Sequence, residues 1–249
     1  VSRHEATGGA GSGGGARAIP PRFGNRARKD ATTEERMLDR IRDKLNKFSE
    51  MTYDTTKGWL SELLDSGETD FLTDFITLVF EKAAVEKPFC ALYARLLTEL
   101  RAGFPHLATD LQRIFGNFMS IFEEAVDEPA VGSAQYEAFI AQRERRKFRR
   151  GYASFIGDIA RLGAISAEDL LRTCTVILTG FEEAKMREGQ QLLCEEYADC
   201  LTTLVKSVTK GAMISLKDRI QANIVSEPTS LSMSKKAKFS LMGATDHLR

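Results

Sequence analysis

Histidine is the scarcest of the chemically versatile residues in this chain. The three present, His4, His106 and His247, lie far apart. None has two cysteines nearby, and Cys90, Cys174, Cys194 and Cys200 form no C-x-x-C pair, which excludes the usual zinc spacings. Each cysteine sits among apolar residues, so buried, reduced thiols in a cytosolic or nuclear setting are expected. No run of about 18 apolar residues occurs, so no membrane span is expected. No charged-then-apolar leader follows Val1, so no secretory signal is expected either. Lys and Arg number 35, as do Asp and Glu; with no net charge, the chain has no long-range field that gathers nucleic acid, and local patches would have to meet such a partner.

Catalytic signatures are missing too. There is no G-x-x-x-x-G-K-[ST] loop, no H-E-x-x-H, no G-x-S-x-G and no EF-hand spacing. The glycine-rich run at 8–15 follows no strand, so it is not a dinucleotide fingerprint. Paired acids such as Glu123-Glu124, Glu182-Glu183 and Glu195-Glu196 read as solvated helix faces. No enzyme activity, metal or cofactor is expected.

What the chain does have is helical periodicity. Apolar residues make up 43% of it and charged residues 28%, enough for a sizeable core. Residues 1–32 stand apart as a Gly/Arg-rich basic tail. Up to residue 30, six basic side chains (Arg3, Arg17, Arg22, Arg26, Arg28, Lys29) face two acidic ones, Glu5 and Asp30. Such a segment cannot bury enough apolar surface to offset its ordering entropy, so it reads as disordered, either a plain linker or a loose RNA contact. From residue 33 to 249 apolar residues recur at helical spacing: Ile41 and Leu45; Leu60 and Leu64; Phe75, Ile76, Val79 and Phe80; Phe89, Leu92, Tyr93 and Leu96; Leu111, Ile114 and Phe115; Tyr152, Phe155, Ile156 and Ile159; Leu170, Ile177 and Phe181; Leu193, Tyr197 and Leu201; Ile220 and Ile224; Phe239, Leu241, Met242 and Leu248. Ser66-Gly67 and Gly163 stop helices, Pro88 suits a first turn, and Ser166 is an N-cap with Asp169 at the capping-box position. About ten helices result and no strand pattern appears, so the class is all-α. A HEAT-type solenoid of helical hairpins, about five repeats long, fits the recurring seam; on periodicity alone a compact bundle fits as well.

Two charged stretches stand out. RERRKFRR at 143–150 carries six basic residues and one acid. It reads either as a patch for phosphate or acidic groups, with Arg145, Arg146, Lys147, Arg149 and Arg150 as its candidates, or as a solubilising surface. Lys235, Lys236 and Lys238 read more simply as a solvated face.

Four segments, in order, resemble the middle domain of eukaryotic translation initiation factor 4 gamma. LNKFS at 45–49 is similar to that family's L-N-K-L-[ST]. Ile76, Leu78, Val79, Phe80, Glu81, Lys82, Ala83, Glu86, Phe89, Tyr93, Ala94 and Leu96 follow its I-x-L-I-F-E-K-A-x-x-E-P-x-F-x-x-x-Y-A-x-L pattern. RRGYASFIGDIARLGAIS at 149–166 is similar to its R-R-x-x-x-x-x-F-I-G-E-L stretch, and SKKAKFSLMGATDHLR at 234–249 to its closing S-x-R-x-R-F-M-x-x-D-x-x-D-L-R. The link at 127–133 is shorter than in many members, and Gly243 and Thr245-Asp246-His247 depart from the closing motif. No Y-x-x-x-x-L-Φ docking motif for a cap-binding protein occurs.

The resemblance implies a cytoplasmic translation initiation scaffold. It would bind a DEAD-box RNA helicase of the initiation factor 4A type, touch both helicase lobes and touch mRNA. Contacts with cap-binding or poly(A)-binding proteins would fall to regions outside these residues. The helicase contacts it implies are Asn46, Lys47, Phe80, Glu81, Lys82, Glu86 and Phe89 for one lobe, and Lys238, His247 and Arg249 for the other. Phe80 reads equally well as core. For RNA the candidates are the basic residues at 145–150 with Arg22, Arg26 and Arg28 of the tail. Related domains serve mRNA splicing, decay and poly(A)-linked regulation, so an adaptor of that kind is the alternative.

Overall fold

Side chains that satisfy orphan backbone groups mark where the helices begin and end. In the computed structural model, which describes residues 32–67, 70–122, 134–207, 214–226 and 229–248, the Thr32 hydroxyl accepts the Glu35 N–H at 3.1 Å. The Glu35 carboxylate in turn accepts the Thr32 N–H at 2.9 Å, a reciprocal box that starts α1 (Thr33–Leu45). At Ser166 the hydroxyl accepts the Asp169 N–H at 3.0 Å and donates to the Asp169 carboxylate at 2.6 Å. The N-cap is the expected one, and the acid closes back on the cap residue. Gly163 adopts φ +76°, its N–H bonds the Ala160 carbonyl, and the Ala164 N–H bonds that of Ile159 at 2.8 Å. Glycine reaches this left-handed terminator without a Cβ penalty.

Ten α-helices lie among the described residues, with no strand. After α1 come α2 (Tyr53–Asp65), α3 (Leu72–Val85), α4 (Cys90–Gly103), α5 (His106–Met119), α6 (Ala134–Arg161), α7 (Ala167–Ala184), α8 (Gln191–Val205), α9 (Ile214–Val225) and α10 (Lys235–His247). Short 3-10 turns precede α2 and α4 and follow α5; Pro88 lies in the one that leads into α4.

Consecutive helices form five hairpins stacked in two layers. In one layer α1 packs on α3 and α3 on α5, the 3-10 turn after α5 meets α7, and α7 meets α9. In the other, α2, α4, α6, α8 and α10 pack in succession. The substantial contacts stay within a hairpin or between adjacent hairpins, so the chain is a HEAT-type solenoid, and the choice against a compact bundle is made by this nearest-neighbour pattern. A continuous apolar core runs from Ile41 to Leu248.

Helices α3 and α6 cross almost in backbone contact. A Cβ built on Gly151 would sit 1.7 Å from the Ala84 carbonyl oxygen, so only glycine allows the crossing. Around it Phe80 lies edge-on to Phe155 at 5.0 Å and tilted on Tyr152 at 5.9 Å. Carbonyls of the turn after α5 are met by side chains of α6 and α8. Tyr197 of α8 donates to Phe122 at 3.0 Å, and Arg149 of α6 donates to Ile121 at 2.6 Å. The exposed positions of α10 differ from the sequence reading: Leu241 and Leu248 are buried, but Phe239 and Met242 are 67% and 41% exposed. They belong to the stripe by spacing, yet α8 and α9 pack on the other side of α10.

Candidate functional site

The first candidate surface is the junction of hairpins one and two. Leu45 ends α1 in the core, and Phe48 stacks near Tyr93 at 5.2 Å. The Tyr93 hydroxyl donates to the Glu86 carboxylate at 2.7 Å and lies 3.4 Å from the Leu45 carbonyl. Lys82 donates to the other Glu86 oxygen at 2.8 Å. Burial, and then the Glu86 carboxylate, push the Tyr93 phenol well above its ordinary range. The chain of contacts from Lys82 through Glu86 and Tyr93 to Leu45 therefore fastens α3 and α4 to the end of α1.

Around this fastening the candidate residues divide. Asn46, Lys47 and Glu81 are exposed. Lys82, Glu86 and Phe89 are half-buried; the first two form the ion pair just described and Phe89 packs on the core. Phe80 is a correction: at 0% exposure and wedged against Tyr152 and Phe155 it is core, and a partner cannot touch it.

The second candidate is the basic stretch on α6. Half of it turns inward to acids of α8. Arg149 is 2% exposed and pairs at 3.3 Å with the wholly buried Glu196, which Arg146 approaches at 3.6 Å. Arg150 pairs with Asp199 at 3.0 Å. Burial pushes the Glu196 carboxyl up, against the pull of Arg149. Arg149 as an RNA contact is thus a second correction, because its guanidinium is spent inside the fold. Arg145 and Lys147 are exposed and Arg146 and Arg150 half-buried. Arg145, Lys147 and Phe148 help line a cleft of about 410 Å³ with Val85 and Ile121.

No known family model matches the chain. A stretch of 84 residues is 37% identical to a rice protein (Oryza sativa subsp. japonica) described as zinc finger CCCH domain-containing protein 43. The stretch is 32% of this chain and spans 12% of the rice protein, too small a share to assign this chain to that protein's family.

The third candidate lies on α10, where Lys238 is half-buried and His247 exposed. Sequence reasoning missed the exposed pair Phe239 and Met242 beside them, since spacing alone marked both as core. Arg249, Arg22, Arg26 and Arg28 lie outside the described residues. Among the described residues no cluster of His, Cys, Asp or Glu is placed to hold a metal. All four cysteines are buried free thiols, and burial raises Cys174 and Cys194 to about 12.

Proposed function

We propose that the chain is a translation initiation scaffold of the initiation factor 4 gamma middle-domain type, working in the cytoplasm on a DEAD-box RNA helicase of the initiation factor 4A type. The observation that carries this reading is the fastening between hairpins one and two. Two of the segments on which the resemblance rests meet there through Tyr93 and Leu45, 48 residues apart in sequence. Asn46 and Lys47 follow one end of that contact, and Glu81 adjoins the other. The helicase contact consists of these exposed side chains, with Phe89, Lys82 and Glu86 holding the ground beneath them. Lys238 and His247 on α10 serve the second lobe. mRNA is touched by Arg145 and Lys147.

A scaffold of this kind needs no catalytic residue. A helicase with two lobes on a flexible linker samples open and closed arrangements. A rigid body that grips both lobes favours whichever arrangement it binds more tightly. Glu81→Lys reverses an exposed charge without touching the Lys82–Glu86–Tyr93 contacts. In a calorimetric titration with the helicase it is expected to weaken binding about tenfold, the size of one lost charge-assisted hydrogen bond, with an unchanged melting temperature. Unaltered affinity would remove Glu81 from the interface.

A further inference from the structure

A cleft of about 360 Å³ lies between the C-terminal half of α1 and the first turn of α2. Arg40, Lys44 and Lys47 line one wall, and Thr52, Thr55 and Thr56 the other. Asp43 is the single carboxylate of the lining, so the cleft holds two positive charges in excess. Several cations of the fold, Lys57, Lys82, Arg95, Arg149, Arg150, Arg219 and Lys236, each meet a carboxylate. Arg40, Lys44 and Lys47 meet none among the described residues. Arg40 and Lys44 instead lie over the Trp59 ring, 5.7 and 5.2 Å from its centre. That contact fixes two like charges, one helical turn apart, beside the cleft.

Thr56 points the same way. It is only 3% exposed, yet its hydroxyl makes no hydrogen bond among the described residues. Threonines of other helices bond the carbonyl four residues back: Thr77 to Thr73 at 2.8 Å, Thr98 to Ala94 at 2.7 Å, Thr203 to Asp199 at 2.9 Å. The residue as a whole is buried but lines the cleft, so its hydroxyl is placed to donate to a group held there. Thr52 is already used, donating to the Lys47 carbonyl at 2.8 Å and accepting the Ser49 N–H at 2.9 Å, so Thr55 and Thr56 are the hydroxyls available. Both stand in the first turn of α2, whose partial positive charge adds to that of the cations.

We propose that this cleft binds a phosphate monoester, presented by a phosphoserine-bearing segment of a partner protein. A phosphomonoester carries about −1.5 to −2 charges at neutral pH and three acceptor oxygens, which matches the excess charge and the spare donors. A nucleic-acid strand fits less well. It needs a track of cations beyond one phosphate, whereas the neighbouring exposed positions Asp39, Glu50 and Asp54 are acidic.

Trp59 is the chain's single tryptophan, so its fluorescence reports on the cleft directly. The experiment titrates the full chain with a degenerate peptide pool fixed at a central phosphoserine and free of aromatic residues, beside the same pool unphosphorylated. The phosphorylated pool is expected to give a saturable change and the unphosphorylated pool none. The Arg40→Gln/Lys44→Gln double variant should weaken binding about tenfold or more, as expected for lost hydrogen bonds between charged groups. Lys47→Gln leaves both Trp59 neighbours in place and should also weaken binding while retaining the wild-type helical circular dichroism. Equal responses to the two pools, or unchanged affinity in both variants, would overturn the proposal. So would binding of a single-stranded RNA oligomer with no response to either pool. The titration contains no helicase, so its outcome is independent of the scaffold reading.

Discussion

Glu99 shows how single charges are set by their neighbours in this fold. It accepts from Lys57 at 2.6 Å and from Arg95 at 2.7 Å, and these bonds, Lys57 first, hold its carboxyl at about 2 against an ordinary 4.5. A carboxyl depressed on folding stabilises the native state above its unfolded value and loses that contribution as protons bind. Stability is therefore expected to fall between about pH 4.5 and pH 2, with the lowered Asp169, Glu182 and Glu195 acting in the same sense. Glu99→Gln should flatten the fall of melting temperature over that range relative to wild type. Parallel profiles for the two proteins would contradict the role given to Glu99. At the same scale, the corrected residues share one cause. Both are covered by neighbours distant in sequence; the apolar stripe of α3 already offered the core reading of Phe80, whereas charge count does not reveal what closes over Arg149. Arg149 turns inward because α8 presents Glu196, 47 residues further on.

At the scale of elements, the α3–α6 crossing is set by the absence of a side chain at Gly151. Glycine inside a helix costs about 1 kcal/mol relative to alanine, so local propensity favours Gly151→Ala. The Ala84 carbonyl opposes it, and the substitution is expected to destabilise by about 1–3 kcal/mol as the helices are forced apart. Chemical denaturation measures this directly; a neutral or stabilising result would mean that the crossing is looser than described. Helix existence and termini were legible in sequence because their causes are local: the apolar stripe of each helix, the Ser166 cap, the left-handed Gly163. The crossing was not, since nothing near Gly151 in sequence announces Ala84. Phe239 and Met242 failed for the same reason: spacing places them on a stripe, and only the packing of α8 and α9 decides which side of α10 is covered.

For the whole molecule, stacking limited to neighbours has a mechanical consequence. Among the described residues the substantial packing joins only adjacent hairpins, so a partner that touches hairpins one and five senses a spacing set through the three between. That property is what the proposed function requires of a body holding two moving lobes. The repeat architecture was legible as helix pairs with a recurring seam, while the order of packing had to come from the structure. The most direct measurement is the RNA-dependent ATPase rate of an initiation factor 4A type helicase across a titration with this chain. The account predicts a saturable rise in rate, with the midpoint moved to higher concentration by Glu81→Lys. A rate that stays flat at saturating chain, whether or not the two proteins bind, would contradict it.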